Sequence, residues 1–252
     1  MNVKTLLFVL TSIISITGFS QAPGRDSLSA WMIEAGITYY GTAGELGERL
    51  NSGSSAGIGA SYKTKSNWIY SLEASYLYSN NIADPGAVLS GFKAEGQRIL
   101  NTVGNLANLN VDHRGFEGFA VIRKTLPWLN ANPNSGFQLG LGAGATTFWY
   151  NVTSNDQSVP QIQDEYDKGY DRLSAGFAMK QAISYQYLSR KRTINFRISF
   201  VVGQTFTEDL RGYNYSTGKR ITGSQFSLTY GLKAHWILPI YQEAPNKEYF
   251  YD

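Results

Sequence analysis

NWIYSLEASYLY, from Asn67 to Tyr78, decides the fold. Trp68, Tyr70, Leu72, Ala74, Tyr76 and Tyr78 fall at every second position, and Ile69, Ser71, Glu73, Ser75 and Leu77 fall between them. Side chains alternate across a strand, so the stretch is a strand with one apolar wall and one polar wall. About eight such segments recur along the chain. Repeated alternation broken by short and long polar connections is the pattern of an all-β, eight-stranded antiparallel up-and-down β-barrel that spans a membrane.

Working outward from strand 3, the other segments take their places. Strand 1 is expected at about 30–40, with Trp31, Ile33, Ala35, Ile37 and Tyr39 toward lipid and Glu34 inward. Strand 2 follows at about 55–63, with Ala56, Ile58, Ala60 and Tyr62 outward. Strand 4 covers about 115–124, with Glu117 and Arg123 inward, and strand 5 covers 136–150. Strand 6 is expected at about 172–187, with Arg172 and Lys180 inward. Strand 7 spans about 193–206 with Arg197 inward, and strand 8 about 221–237 with Lys233 and His235 inward. Connections 2–3, 4–5 and 6–7 are shorter than 1–2, 3–4, 5–6 and 7–8, as in barrels with short periplasmic turns and long external loops. Trp31, Trp68, Tyr70, Tyr185, Tyr187 and Trp236 cluster at one set of strand ends. Tyr39, Tyr76, Tyr78, Phe148, Trp149, Tyr150 and Phe226 cluster at the other, where two aromatic girdles belong. A soluble sandwich or lipocalin-like barrel would point its apolar face inward and would not need two bands of Trp and Tyr.

Lys4 followed by an apolar run from Leu6 to Ile16, with Gly18 and Ser20 near a cleavage point, reads as a signal peptide over residues 1–20. Residues 21–29 are then an N-terminal periplasmic segment, 30–238 the barrel and 239–252 a periplasmic C-terminal tail. No apolar stretch is long enough for a spanning helix. The chain has no Cys, which excludes disulfides, thiolate metal sites and a lipoprotein anchor on this sequence. Charged residues make up 16% of the chain, against about 25% in ordinary soluble domains. A net charge of +3, with no dense Lys/Arg cluster, speaks against nucleic acid as a partner.

An eight-stranded barrel has room inside only for side chains or one small ligand. Glu34, Glu73, Glu117, Arg123, Arg172, Lys180, Arg197 and Lys233 all carry inward parity, and a lumen ion-pair network is the expectation. A narrow pore is the alternative. The loop expected at about 79–114 holds Ile99, Leu100, Val103 and Leu106 near helical spacing. The loop before strand 6 holds Tyr166 and Tyr170, and the tail holds Tyr241, Tyr249, Phe250 and Tyr251. Loops and tail are the expected protein-contact surfaces, beside outer-membrane lipid and lipopolysaccharide around the wall. The chain has two His residues. His113, with Asp112 or Glu117, is the weak catalytic candidate, because acyl or lipid chemistry needs a base near a nucleophile or carboxylate. Adjacent strand residues point apart, which weakens the Asp112 pairing. No metal-ligand spacing and no cofactor motif is present, and GLGAGA at 140–145 sits inside a strand.

The layout resembles the small eight-stranded outer-membrane barrels of OmpA-like type. The segment GFSQA at 18–22, followed by Gly- and Tyr-rich strands, looks like those of Bacteroidetes, where PorT-like and PorG-like barrels serve type IX secretion and gliding. The resemblance covers the expected mature chain as architecture and implies a structural, anchoring or accessory subunit of an envelope assembly. A lipid-modifying enzyme, a surface adhesin and a narrow pore are the competing readings. No peptidoglycan-binding domain of OmpA-like type is expected after strand 8, which makes a cell-wall tether doubtful.

Overall fold

The computed structural model describes residues 27–89, 107, 109–126, 134–154, 159, 168, 170–189, 194–213, 218, 220 and 223–241. Eight strands form one closed sheet: β1 (Ala30–Gly44), β2 (Leu50–Lys63), β3 (Trp68–Ile82), β4 (Leu109–Leu126), β5 (Gly136–Ser154), β6 (Ser174–Leu188), β7 (Asn195–Asp209) and β8 (Gln225–Tyr241). Each strand pairs antiparallel with its sequence neighbour, and β8 returns to β1, with Ala30 opposite Tyr241. Closure leaves no open sheet edge. Two short helices, α1 (Glu45–Arg49) and α2 (Pro85–Val88), sit at the end away from Ala30 and Tyr241. We call that the loop end and the other the terminal end.

The barrel is inside out relative to a soluble one. Ile37, Ile58, Leu72, Leu141, Ile183 and Leu232 are among the most exposed residues, whereas Glu34, Arg197 and Lys63 are almost fully buried. Such a wall is stable only where hydrocarbon, not water, is the outer solvent. Inward glycines make room for the long lumen side chains. A Cβ at Gly36 would lie 2.6 Å from the His235 ring, and one at Gly231 would lie 2.8 Å from the Tyr40 Cβ. The β2–β3 turn closes through Asn67 N–H to Thr64 O (3.1 Å) and Thr64 N–H to Trp68 O (2.8 Å). Asn67 takes the left-handed φ of 65°, which Asn tolerates.

Several boundaries differ from the sequence reading, and each difference has a local cause. β4 starts at Leu109 rather than near 115, and β5 runs on to Ser154, so Leu109–Arg114 pair with Trp149–Ser154. These ends stand beyond the apolar band: strands of 14–19 residues exceed the ~9–11 needed to cross a membrane. There the outward positions carry Asn110, Asp112 and Arg114, so the lipid-face signal stops while the strand continues. Phe148 and Tyr150 do not join the loop-end girdle; they face inward and are buried. Arg172 is not in a strand. It precedes β6 with a φ of 48°, and its buried Nε lies beside Tyr150 and Arg49 at the loop end rather than among the lumen ion pairs. Tyr241 is not tail but the last residue of β8, opposite Ala30. Proline normally ends a strand, and Pro239 lies two residues earlier. Pro239 is accommodated because β8 pairs with β7 only as far as Trp236 and beyond that with β1 alone. Tyr249, Phe250 and Tyr251, like Ile99, Leu100, Val103, Leu106 and Tyr166, lie outside the described residues.

Candidate functional site

The interior is built in layers from the terminal end upward. Met32, Ile69, Leu188 and Ile237, all at most 1% exposed, form an apolar floor. Below it, Ser27 and Leu28 strap across the opening. Lys63 Nζ donates to Ser27 Oγ (2.6 Å), Leu28 O (3.0 Å) and Asn134 Oδ1 (2.9 Å), and Ser27 Oγ donates to Asn67 Oδ1 (2.9 Å).

Above the floor lies the charge layer. Glu34 accepts hydrogen bonds from Arg197 and from Ser61 Oγ (2.7 Å), and Arg197 also donates to Gln186 Oε1 (3.2 Å). Glu73 accepts from Arg123 and from Lys233 Nζ (2.8 Å), while Arg123 donates to Ser71 Oγ (2.7 Å). Higher up, Lys180 Nζ donates to Glu117 (2.6 Å) and stands 3.8 Å from the centre of the Phe119 ring. Glu34, Glu73 and His235 each place one ligand atom within 4.8 Å of the others, a spacing that would suit a metal. The charge around them does not suit one. Arg197, Arg123 and Lys233 already occupy the carboxylates, so an added cation would face three fixed positive charges.

A cavity of about 60 Å³ sits over this layer, bordered by His113, Glu117, Lys180, Lys233, Thr205 and Tyr40. It is large enough to hold a few water molecules. Both ring nitrogens of His113 and the Thr205 hydroxyl are buried without a hydrogen-bond partner among the described residues. His113 instead packs on rings, 5.2 Å from Phe148 and 6.1 Å from Tyr150 between centroids.

An apolar lid closes the loop end. Tyr40, Leu46, Leu50, Leu77, Ile82, Val88, Val111, Phe148 and Tyr150 form one buried cluster that includes residues from both helices. α1 is too short to be stable alone and is held by what it touches. Leu46 N–H donates to Ser227 Oγ (2.9 Å), and Leu46 enters the lid. Arg49, 3% exposed, donates to Ser174 Oγ (3.0 Å) and Gln225 Oε1 (2.6 Å), with its guanidinium 5.4 Å from the Phe148 ring centre. Burial, with the Arg172 cation beside it, lowers the Arg49 guanidinium to about 10, which leaves it charged at neutral pH.

Neither pairing of the weak catalytic candidate, His113 with Asp112 or His113 with Glu117, is formed. Asp112 faces outward and pairs with Arg114 (3.4 Å), His113 faces inward with no polar partner, and Glu117 is engaged by Lys180. The structure brings together seven of the eight residues expected in the lumen network and leaves Arg172 out. Sequence reasoning missed Lys63 and Arg49. Lys63 shares inward parity with Ser61 and already closes the strand expected at 55–63, so parity alone could have found it. Arg49 lies in a helix with no periodic signal. Tyr170 lies in the turn before β6 and is partly buried.

The chain matches no protein-family model and no curated protein. Among solved structures it is similar to Ail, the attachment invasion locus protein of Yersinia pestis, at 10% identity and a TM-score of 0.43, over 84% of this chain and 99% of that chain. Neisserial surface protein A is similar at 10% identity and a TM-score of 0.39, over 82% of this chain and 96% of that one. The outer membrane protein OprG from Pseudomonas aeruginosa is similar at 8% identity and a TM-score of 0.37, over 86% of this chain and 99% of that one.

Proposed function

We propose that this chain is an integral bacterial outer-membrane barrel that acts as a structural, anchoring or accessory subunit of an envelope assembly. The observation that carries the reading is a lumen stoppered at both ends. The apolar floor and the strap close one opening, and the lid with α1 closes the other. Between them the charges are paired, which supports a scaffold rather than a conduit or a catalyst.

The first residue of β1, Ala30, and the last of β8, Tyr241, lie at the same end, and the short β2–β3 connection lies there. That end is the periplasmic one in this reading, and the long connections lie outside. Contacts with partners are then made by the external loops, Tyr170 included, or by the chain beyond Tyr241. An assembly of the type IX secretion or gliding kind is the specific case implied by the resemblance. The test is a mild-detergent pull-down of the tagged chain from outer membranes, read by mass spectrometry. Envelope proteins recovered in fixed ratio to the barrel are the expected result. Recovery of the barrel with no other protein overturns the accessory role.

A further inference from the structure

Among the described residues, the lipid-facing positions between the two aromatic girdles are apolar or aromatic except at Thr147 on β5, Gln181 on β6 and Gln204 on β7, and only the two glutamines carry carboxamides. They share the outward parity of Phe177, Met179, Ile183, Phe200 and Phe206, all of which are exposed. Gln181 is the central residue of β6, and Gln204 sits diagonally from it, opposite Met179. The two carboxamides bond each other twice: Gln181 Nε2 to Gln204 Oε1 at 2.9 Å, and Gln204 Nε2 to Gln181 Oε1 at 3.2 Å.

A carboxamide has two N–H donors and an oxygen that accepts two hydrogen bonds. The reciprocal pair uses one of each on either residue. The second donor and second acceptor of each face hydrocarbon, which supplies no partner. Lumen packing does not require these side chains, because they are on the outside. Corresponding depths elsewhere on the wall carry Leu72, Ala74, Ala120 and Leu232.

We propose that the Gln181–Gln204 patch is the contact through which two copies of this chain associate within the membrane. At this depth only another spanning segment offers hydrogen-bonding groups, and polar side chains join such segments. The patch has equal numbers of unmet donors and acceptors, so it complements itself, as a closed two-fold interface demands. Two copies inserted in the same direction are related by an axis along the membrane normal. That axis keeps every residue at its own depth, so one amide pair meets the other. Leu141, Met179 and Val202 surround the amides and supply apolar contact. This pairing does not rest on the accessory-subunit reading.

The absence of Cys makes single-cysteine crosslinking clean. Glu208 lies on the outward line of β7, beyond Gln204 and exposed at the loop end, where a thiol can ionise. Asn80, also exposed, is on β3, across the barrel. In intact membranes E208C is expected to crosslink into a species of twice the monomer mass, and N80C is not. Adding Gln181→Leu and Gln204→Leu to E208C is expected to lower the dimer yield about tenfold while the heat-modifiable monomer persists. Monomer alone from E208C, crosslinking only to a different protein, or a dimer indifferent to the two leucines overturns the proposal. If the leucine variant fails to fold, E208C against N80C in the otherwise unaltered chain decides. A pull-down that returns only untagged copies of this chain would support the dimer and overturn the accessory role, so the two readings fail separately.

Discussion

The lower and upper halves of the lumen solve the same packing problem with opposite chemistry. Below, three carboxylates and four cations interlock with Ser61, Ser71 and Gln186 between an apolar floor and the cavity. Above, Tyr40, Leu77, Val111 and Phe148 pack as a protein core, and the imidazole beside them, His113, meets no polar partner among the described residues. The lower half is held by terms that are large singly and nearly cancel in sum, because desolvating a charge offsets most of its attraction. The upper half is held by burial, which needs no partner but tolerates no gap. Breaking one member of each layer separates the two designs.

The largest effect is expected at Arg197, which is fully buried against Glu34. Arg197→Met strands a buried carboxylate with Ser61 alone, a change of the kind that costs about 3–5 kcal/mol. The urea midpoint of the folded, heat-modifiable form in detergent should fall accordingly. The double replacement Glu34→Gln with Arg197→Met should recover much of the loss, since it removes the orphan charge. A double variant no more stable than the single one would show that the layer acts by packing, not by pairing.

Much of this architecture was legible from alternation because lipid and lumen demand opposite chemistry at successive residues. Inward parity located Glu34, Glu73 and Arg197, yet parity is silent about who meets whom. Arg197 and Glu34 are 163 residues apart, and their meeting depends on how far the strands are staggered around the barrel. Arg172 was misplaced because Leu173 and Ala175 carry the alternation back past the strand start, and only the backbone, with its φ of 48° at Arg172, ends the strand there. Phe148 and Tyr150 were read as girdle residues because aromatics near a strand end look alike in sequence, whether they face lipid or the lid. The Gln181–Gln204 pair was written into the outward parity of strands 6 and 7, but only the diagonal register shows that the two amides touch.

The upper half should respond in the opposite direction. His113→Phe replaces a ring without polar partners by an apolar one beside Phe148, Tyr150 and the cavity of about 60 Å³. Relieving an unmet buried polar group is worth about 1–3 kcal/mol, less whatever strain the larger ring introduces. The variant should unfold at equal or higher urea than the parent and leave lipid A unchanged by mass spectrometry. A sharp loss of stability would mean that the imidazole is hydrogen-bonded in the membrane-embedded protein. A change in lipid A would revive the catalytic reading of His113.

The smallest effect is expected outside both halves, at the rim. Arg211 donates to both carboxylate oxygens of Asp171, from Nε at 3.1 and 3.2 Å and from Nη2 at 2.6 Å, and the guanidinium is 31% exposed. The fork geometry favours this pair over most surface pairs, but water screens it, and exposed pairs contribute about 0–1 kcal/mol. Arg211→Gln should therefore move the urea midpoint by no more than that, and less still as salt is raised. A loss as large as that of Arg197→Met would show that the rim, rather than the buried charge layer, sets the stability of the barrel.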